Sequence, residues 1–189
     1  MQWRNTASRY GFVASSLHWL IAAGIVAQYF LAEAVDDRET TATGVLGATA
    51  LHASLGITLL VLAIVRISWR LLELPPERPT AMKGYEIAVA RATHIAFYVL
   101  LFAIPLSGWA LATLDGQSTS YFGLFELPQL RIGAQLGTLD KEQLEEVHEI
   151  LFNILLTLAV LHIAAALKHH FFDRDGVLRS MLPWRSRGA

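Results

Sequence analysis

The chain has 189 residues, 54% of them hydrophobic and only 16% charged, with a formal net charge of −1. A soluble domain carries about 25% charged residues, so this composition points to a bilayer as solvent, and the near-neutral charge offers nucleic acid nothing to bind. With no Cys, thiolate metal sites, iron–sulfur clusters, disulfides and thiol redox chemistry are excluded, which leaves the 7 His as the strong metal ligands.

Four apolar stretches, each long enough to span a bilayer, are expected as helices. The first covers about 14–34 and carries His18 near its start. It is too long for a signal-peptide core, and acidic residues follow it where a cleavage site would be, so it reads as retained. An acidic, Thr-rich linker leads to the second stretch, about 45–72, with His52 near its start and Arg66 and Arg70 near its end. Pro75, Pro76 and Pro79 stop that helix. The third stretch, about 88–114, holds His94 near its start and Pro105 inside, which a membrane helix tolerates. Residues 115–143 form the longest loop, and its Phe122, Phe125 and Leu130 suit a bilayer surface. The fourth stretch, about 147–172, carries His148, His162, His169 and His170. The expected fold is all-α, a transmembrane four-helix bundle forming one domain over 1–189.

Of the 15 Lys and Arg, all but Arg38, Arg131 and Lys141 fall on the side that holds both termini. The positive-inside rule puts that side in the cytoplasm. The opposite face is acidic, with Glu33, Asp36, Asp37, Glu39, Asp115, Glu126, Asp140, Glu142, Glu145 and Glu146.

Orientation gives each His a depth. His148 and His162 are fourteen residues apart, close to four turns, so they share one helix face about 21 Å apart along the axis. Depth matches His52 with His148 on the outer side and His18 with His162 on the inner side. Ionisable residues inside spans are costly and usually functional. Two imidazole pairs stacked across a bilayer are what two bis-imidazole b-type haems require, whereas zinc needs three or four ligands at one point. Gly56, one turn beyond His52, leaves room for a porphyrin or for close helix packing. His94 is a spare imidazole at the inner depth: it replaces His18 as ligand, lines a pocket or caps the interface. His169 continues the stripe of His148 and His162, where it either exchanges protons with a quinone or sits at the interface beside Lys168. Arg66 and Arg70 are placed to meet lipid phosphates or haem propionates. Glu145, Glu146 and Glu149 around His148 read as a solvated helix start, the alternative being that one of them hydrogen-bonds the free ring nitrogen of His148.

The segments RYGFVASSLHWL, LHASLGITLLVLAIVRISWRL, HIAFYVLLFAIPLSGW and VHEILFNILLTLAVLHIAAALKHHFFDRDGVLRSML resemble the prokaryotic cytochrome b561 family over nearly the whole chain. The resemblance implies a multi-pass, di-haem cytochrome of the bacterial inner membrane, with His18, His52, His148 and His162 as axial ligands and His169 as the quinone-side histidine. Related cytochromes are membrane subunits of hydrogenases and formate dehydrogenases, and other members oxidise superoxide outside and reduce ubiquinone in the membrane. Two functions follow. One is superoxide:ubiquinone oxidoreductase, with ubiquinone as substrate. The other is a relay subunit between a docked dehydrogenase, hydrogenase or soluble periplasmic redox protein and the quinone pool. An acidic outer face repels superoxide and attracts a basic partner, unless Arg38, Arg131 or Lys141 reverses the field over the outer haem.

Overall fold

The computed structural model describes residues 2–36, 42–77, 82–114, 119–130 and 140–182. Four long helices dominate: α1 (Phe12–Asp36), α2 (Ala42–Leu72), α3 (Gly84–Leu114) and α4 (Lys141–Lys168). All four are long and apolar enough to cross a membrane. α4 runs on through a π-helical turn, His169–Asp173, to a single-turn helix, α5 (Val177–Ser180).

All four helices begin earlier than hydropathy suggests, and capping explains the two largest differences. α4 starts at Lys141 because Asp140 and Gln143 form a capping box, with Gln143 N–H donating to Asp140 Oδ1 at 2.9 Å. α3 starts at Gly84, where the Glu86 carboxylate accepts the Lys83 N–H at 2.9 Å. Pro105 lies inside α3 without ending it.

Neighbours pack in sequence: α1 on α2, α2 on α3, α3 on α4. Ile21, Leu59, Ala63 and Leu101 form one buried cluster, and Leu100, Ile104 and Leu155 a second. Ile25 packs against both, so α1 contributes to each. Among the described residues, α4 brings no Cα within 8 Å of α1 or α2. The bundle is therefore open along one seam, between α4 and the α1–α2 pair.

The two ends of the bundle differ. At one end the N-terminal segment meets both 73–77 and the C-terminal segment. Tyr10 N–H donates to Ser180 O at 3.2 Å, Glu77 N–H to Ala7 O at 2.8 Å and Trp19 Nε1–H to Met181 O at 2.9 Å. At the other end the expected long loop contains an element that alternation did not reveal, a hairpin of β1 (Ser120–Tyr121) and β2 (Phe125–Glu126). Its turn needs positive φ at Phe122 (49°) and Gly123 (72°), which glycine adopts without strain. Ser54 in α2, only 1% exposed, holds the hairpin: its Oγ donates to Ala50 O at 2.8 Å and accepts from Phe122 N–H at 3.0 Å. Tyr121 Oη lies 3.1 Å from Thr58 Oγ1. Phe122, Leu124 and Phe125 stay exposed, as a bilayer-facing loop requires, while Leu130 is half-buried and its N–H is bonded to Thr113 Oγ1 at 3.1 Å.

Candidate functional site

His18 stands at the start of α1 and His52 near the start of α2, while α4 carries His148 early and His162 one face-repeat later. The structure brings them together in two groups. The rings of His52 and His148 meet edge-on with centroids 6.2 Å apart and planes 66° to each other, at the hairpin end. The rings of His18 and His162 do the same at 6.3 Å, at the end that holds both termini. Each pair spans the open seam, where helix backbones stay apart.

That spacing tests the fit of a metal. Two metal–imidazole bonds of about 2 Å each, plus the two ring radii, come to about 6 Å. Both pairs match two imidazoles on one iron, and among the described residues neither pair belongs to a metal-capable cluster with a carboxylate.

His94 also reaches His162, at 5.8 Å between centroids, and Phe97 lies 5.4 Å from the same ring. His94 sits on α3, however, and α3 packs directly on α4. His18, by contrast, meets His162 across the seam that separates α1 from α4.

The carboxylates near His148 form the expected solvated helix start. Glu145, Glu146 and Glu149 are all exposed. The free nitrogen of His148 is instead met by Ser107 of α3, with Oγ 2.9 Å from Nδ1. Gly108 lies against the same ring: a Cβ there would stand 3.0 Å from His148 Cε1. His52 Nδ1 is buried with no partner. Gly56 does not face open space; a Cβ there would stand 3.2 Å from Gln28 Nε2. Gln28, 7% exposed, reaches across from α1 and donates to the carbonyl of His52 at 3.0 Å. Gly56 thus serves close packing of α1 on α2. Sequence reasoning missed both Ser107 and Gln28, because nothing in one helix's periodicity reports the rotation of its neighbour.

At the termini end, Arg66 is turned inward rather than toward lipid headgroups. Its Nη1 donates to Ala14 O at 3.0 Å, in a small cleft shared with Tyr10, Trp69, Arg70 and Tyr98. The indole nitrogen of Trp69 is buried there without a partner. His169 opens the π-helical turn, and its side chain is 12% exposed. Its Nδ1 lies 2.7 Å from Asp175 Oδ2 and 3.1 Å from Asp173 Oδ2. The π turn and the left-handed Arg174 (φ 53°) are what fold Asp175 back onto His169, and such turns recur at functional sites. Glu86, His169 and Asp173 stand close enough together to hold a metal ion, but Lys168 Nζ already supplies the cation, 2.8 Å from Glu86 and 2.9 Å from Asp173. Residues 37–41, with Arg38, and 131–139, with Arg131, lie outside the described residues.

A family model described as prokaryotic cytochrome b561 matches residues 9–184. "Cytochrome b561 homolog 2" of Escherichia coli K12 is 34% identical over 96% of this chain and 95% of its own length. "Cytochrome b561 homolog 1" of the same organism is 30% identical over 71% of this chain and 74% of its own. A protein of Yersinia pestis named "Probable superoxide oxidase CybB" is 32% identical over 73% of this chain and 76% of its own.

Proposed function

The chain belongs to the prokaryotic cytochrome b561 family, and from that premise we propose that it carries two b-type haems and passes electrons from superoxide outside to ubiquinone near the cytoplasmic side. Family membership makes it a multi-pass protein of the bacterial inner membrane whose work is electron transfer and whose cofactor is b-type haem. The observation that carries the finer reading is the pair of histidine couples across the open seam, at 6.2 and 6.3 Å.

When bound, haem supplies the one-electron chemistry of its iron. The chain supplies the rest. His52 and His148 hold the outer haem, and His18 and His162 the inner one. The shared face of α4 fixes their separation, close to four turns of helix. The apolar bundle keeps water from the path. The end that collects the basic residues and both termini faces the cytoplasm. There, the Asp175 carboxylate accepts from His169 Nδ1–H, which leaves Nε2 as the atom that exchanges a proton with the quinone. Two superoxide anions give up one electron each and leave as dioxygen, while one quinone takes both electrons and two protons to become quinol.

Support for superoxide comes from the name of the Yersinia relative. One observation favours the rival relay-subunit reading: Glu126, Asp140, Glu142, Glu145 and Glu146 are all exposed at the hairpin end. A carboxylate-rich face suits a basic protein partner better than a small anion. Pulse-radiolysis delivery of superoxide to purified, haem-loaded protein separates the two. Reduction of the haems, followed by quinol formation, is expected. Haems that dithionite reduces but superoxide does not belong to a relay subunit.

A further inference from the structure

We propose that the Ser107 hydroxyl is a positioning group that presents Nε2 of His148 to the outer haem iron and sets that haem's potential. This rests on the ligand reading above.

A serine hydroxyl has one hydrogen. Ser107 Oγ donates it to the carbonyl of Ile104, at 2.8 Å. The His148 ring is also hydrogen-bonded to the Ile104 backbone, whose carbonyl can only accept, so toward Nδ1, 2.9 Å away, the Ser107 oxygen accepts as well. Nδ1 then carries the hydrogen, and the lone pair lies on Nε2. The adjacent Gly108 completes the seat. A Cβ there would come within 3.0 Å of Cε1 and 3.5 Å of Nδ1, so the ring lies directly on the α3 backbone. The Gly108 backbone, the Ile104 carbonyl and the Ser107 oxygen, all from α3, thus fix the tilt and the tautomer of a side chain borne by α4.

The opposite imidazole has no such anchor, since His52 Nδ1 is buried without a partner. At the inner site the rings are braced by other rings, His18 by Trp19 at 5.2 Å and His162 by His94 and Phe97. Ser107 therefore acts on one ligand of one haem. Accepting a hydrogen bond at Nδ1 makes Nε2 a stronger electron donor, which favours the ferric state and lowers the reduction potential. A lowered outer potential drives electrons inward.

The experiment is an optical redox titration of purified, haem-loaded protein, with the outer haem assigned by its loss in His148→Ala. Ser107→Ala should shift the outer midpoint to a more positive value and leave the inner one unmoved. Ser107→Thr, which keeps the oxygen, should restore the wild-type value. An unmoved outer midpoint in Ser107→Ala overturns the proposal, as does a shift in Ser107→Thr equal to that of alanine, or a shift confined to the inner haem. Should Ser107→Ala purify without its outer haem, Ser107→Cys keeps a weak acceptor in place. An intermediate positive shift supports the proposal there, and no shift overturns it. If His148→Ala retains both haems, the ligand reading itself is wrong.

Discussion

His148 faces His52 across a seam that no backbone closes. Their ring centroids stand 6.2 Å apart, while the helices that bear them keep all Cα atoms more than 8 Å from each other. Side chains that meet where helices do not are a poor way to pack a bundle. Four-helix bundles ordinarily fill such a seam with interlocking apolar side chains. Here two imidazole pairs occupy it instead, one toward each end of the bundle.

The tightness of that seat yields a first prediction. Gly108→Ala would place a Cβ 3.0 Å from His148 Cε1, so the ring must yield by a few tenths of an ångström. Overpacking of this kind costs about 1 kcal/mol, which is roughly fivefold in an equilibrium. Outer-haem retention during dilution or apo-protein competition should fall by that factor, with the inner haem unaffected. Equal loss of both haems would point to a general folding defect instead.

The described segment 119–130 is fixed to the bundle through Ser54, which is 1% exposed. Ser54→Ala removes the acceptor of the part-buried Phe122 N–H and frees the hairpin, and losing such a hydrogen bond costs about 1 kcal/mol. Detergent-solubilised protein should melt at a lower temperature and become susceptible to proteolysis within 119–126. A melting curve and cleavage pattern like the wild type would show that the hairpin is held elsewhere.

His169 tests the quinone end. Its Nδ1 is tied to Asp175 at 2.7 Å, in a backbone turn built around that contact. His169→Ala should keep both haem spectra and the rate of haem reduction, yet slow haem oxidation by ubiquinone by about a hundredfold or more, as loss of a general acid does. Quinone turnover equal to wild type would reduce His169 to an interfacial residue.

The donor is tested by charge. Superoxide, as a small anion, needs a local positive field, which Lys141, Arg38 or Arg131 would provide. Replacing the relevant residue by Gln should then slow haem reduction by superoxide, and added salt should slow the wild type by screening. A basic protein donor would be affected by the opposite change. Neutralising Glu142, Glu145 and Glu146, all exposed, would impair it while leaving superoxide reduction intact or faster.

Much of this was legible in the sequence because membranes impose simple rules. Span length, the bias of Lys and Arg, and a fourteen-residue His interval on one helix give depth, direction and face. Those three quantities predict which histidines lie side by side. What they do not encode is the rotation of one helix about its axis relative to another. Ser107 on His148, Gln28 on the His52 carbonyl and Arg66 on Ala14 O all depend on that rotation. The early start of α4 was readable, since Asp140 and Gln143 spell a capping box, but hydropathy looks past polar helical turns. The hairpin was not readable by alternation, because each strand is only two residues long and its stability comes from Ser54 and Thr58 in α2. The π turn at His169 is likewise defined by where Asp173 and Asp175 return, not by local propensity.

The most direct test is to count haem by the pyridine haemochrome method in purified wild type and in five alanine variants, at His18, His52, His94, His148 and His162. Two haems per chain are expected in the wild type. One is expected in each of the His18, His52, His148 and His162 variants, and two in the His94 variant, because His94 lies on α3, which packs on α4, and not across the seam. A wild type without stoichiometric haem would contradict the whole reading. A His18 variant that keeps two haems beside a His94 variant that loses one would contradict the inner pairing.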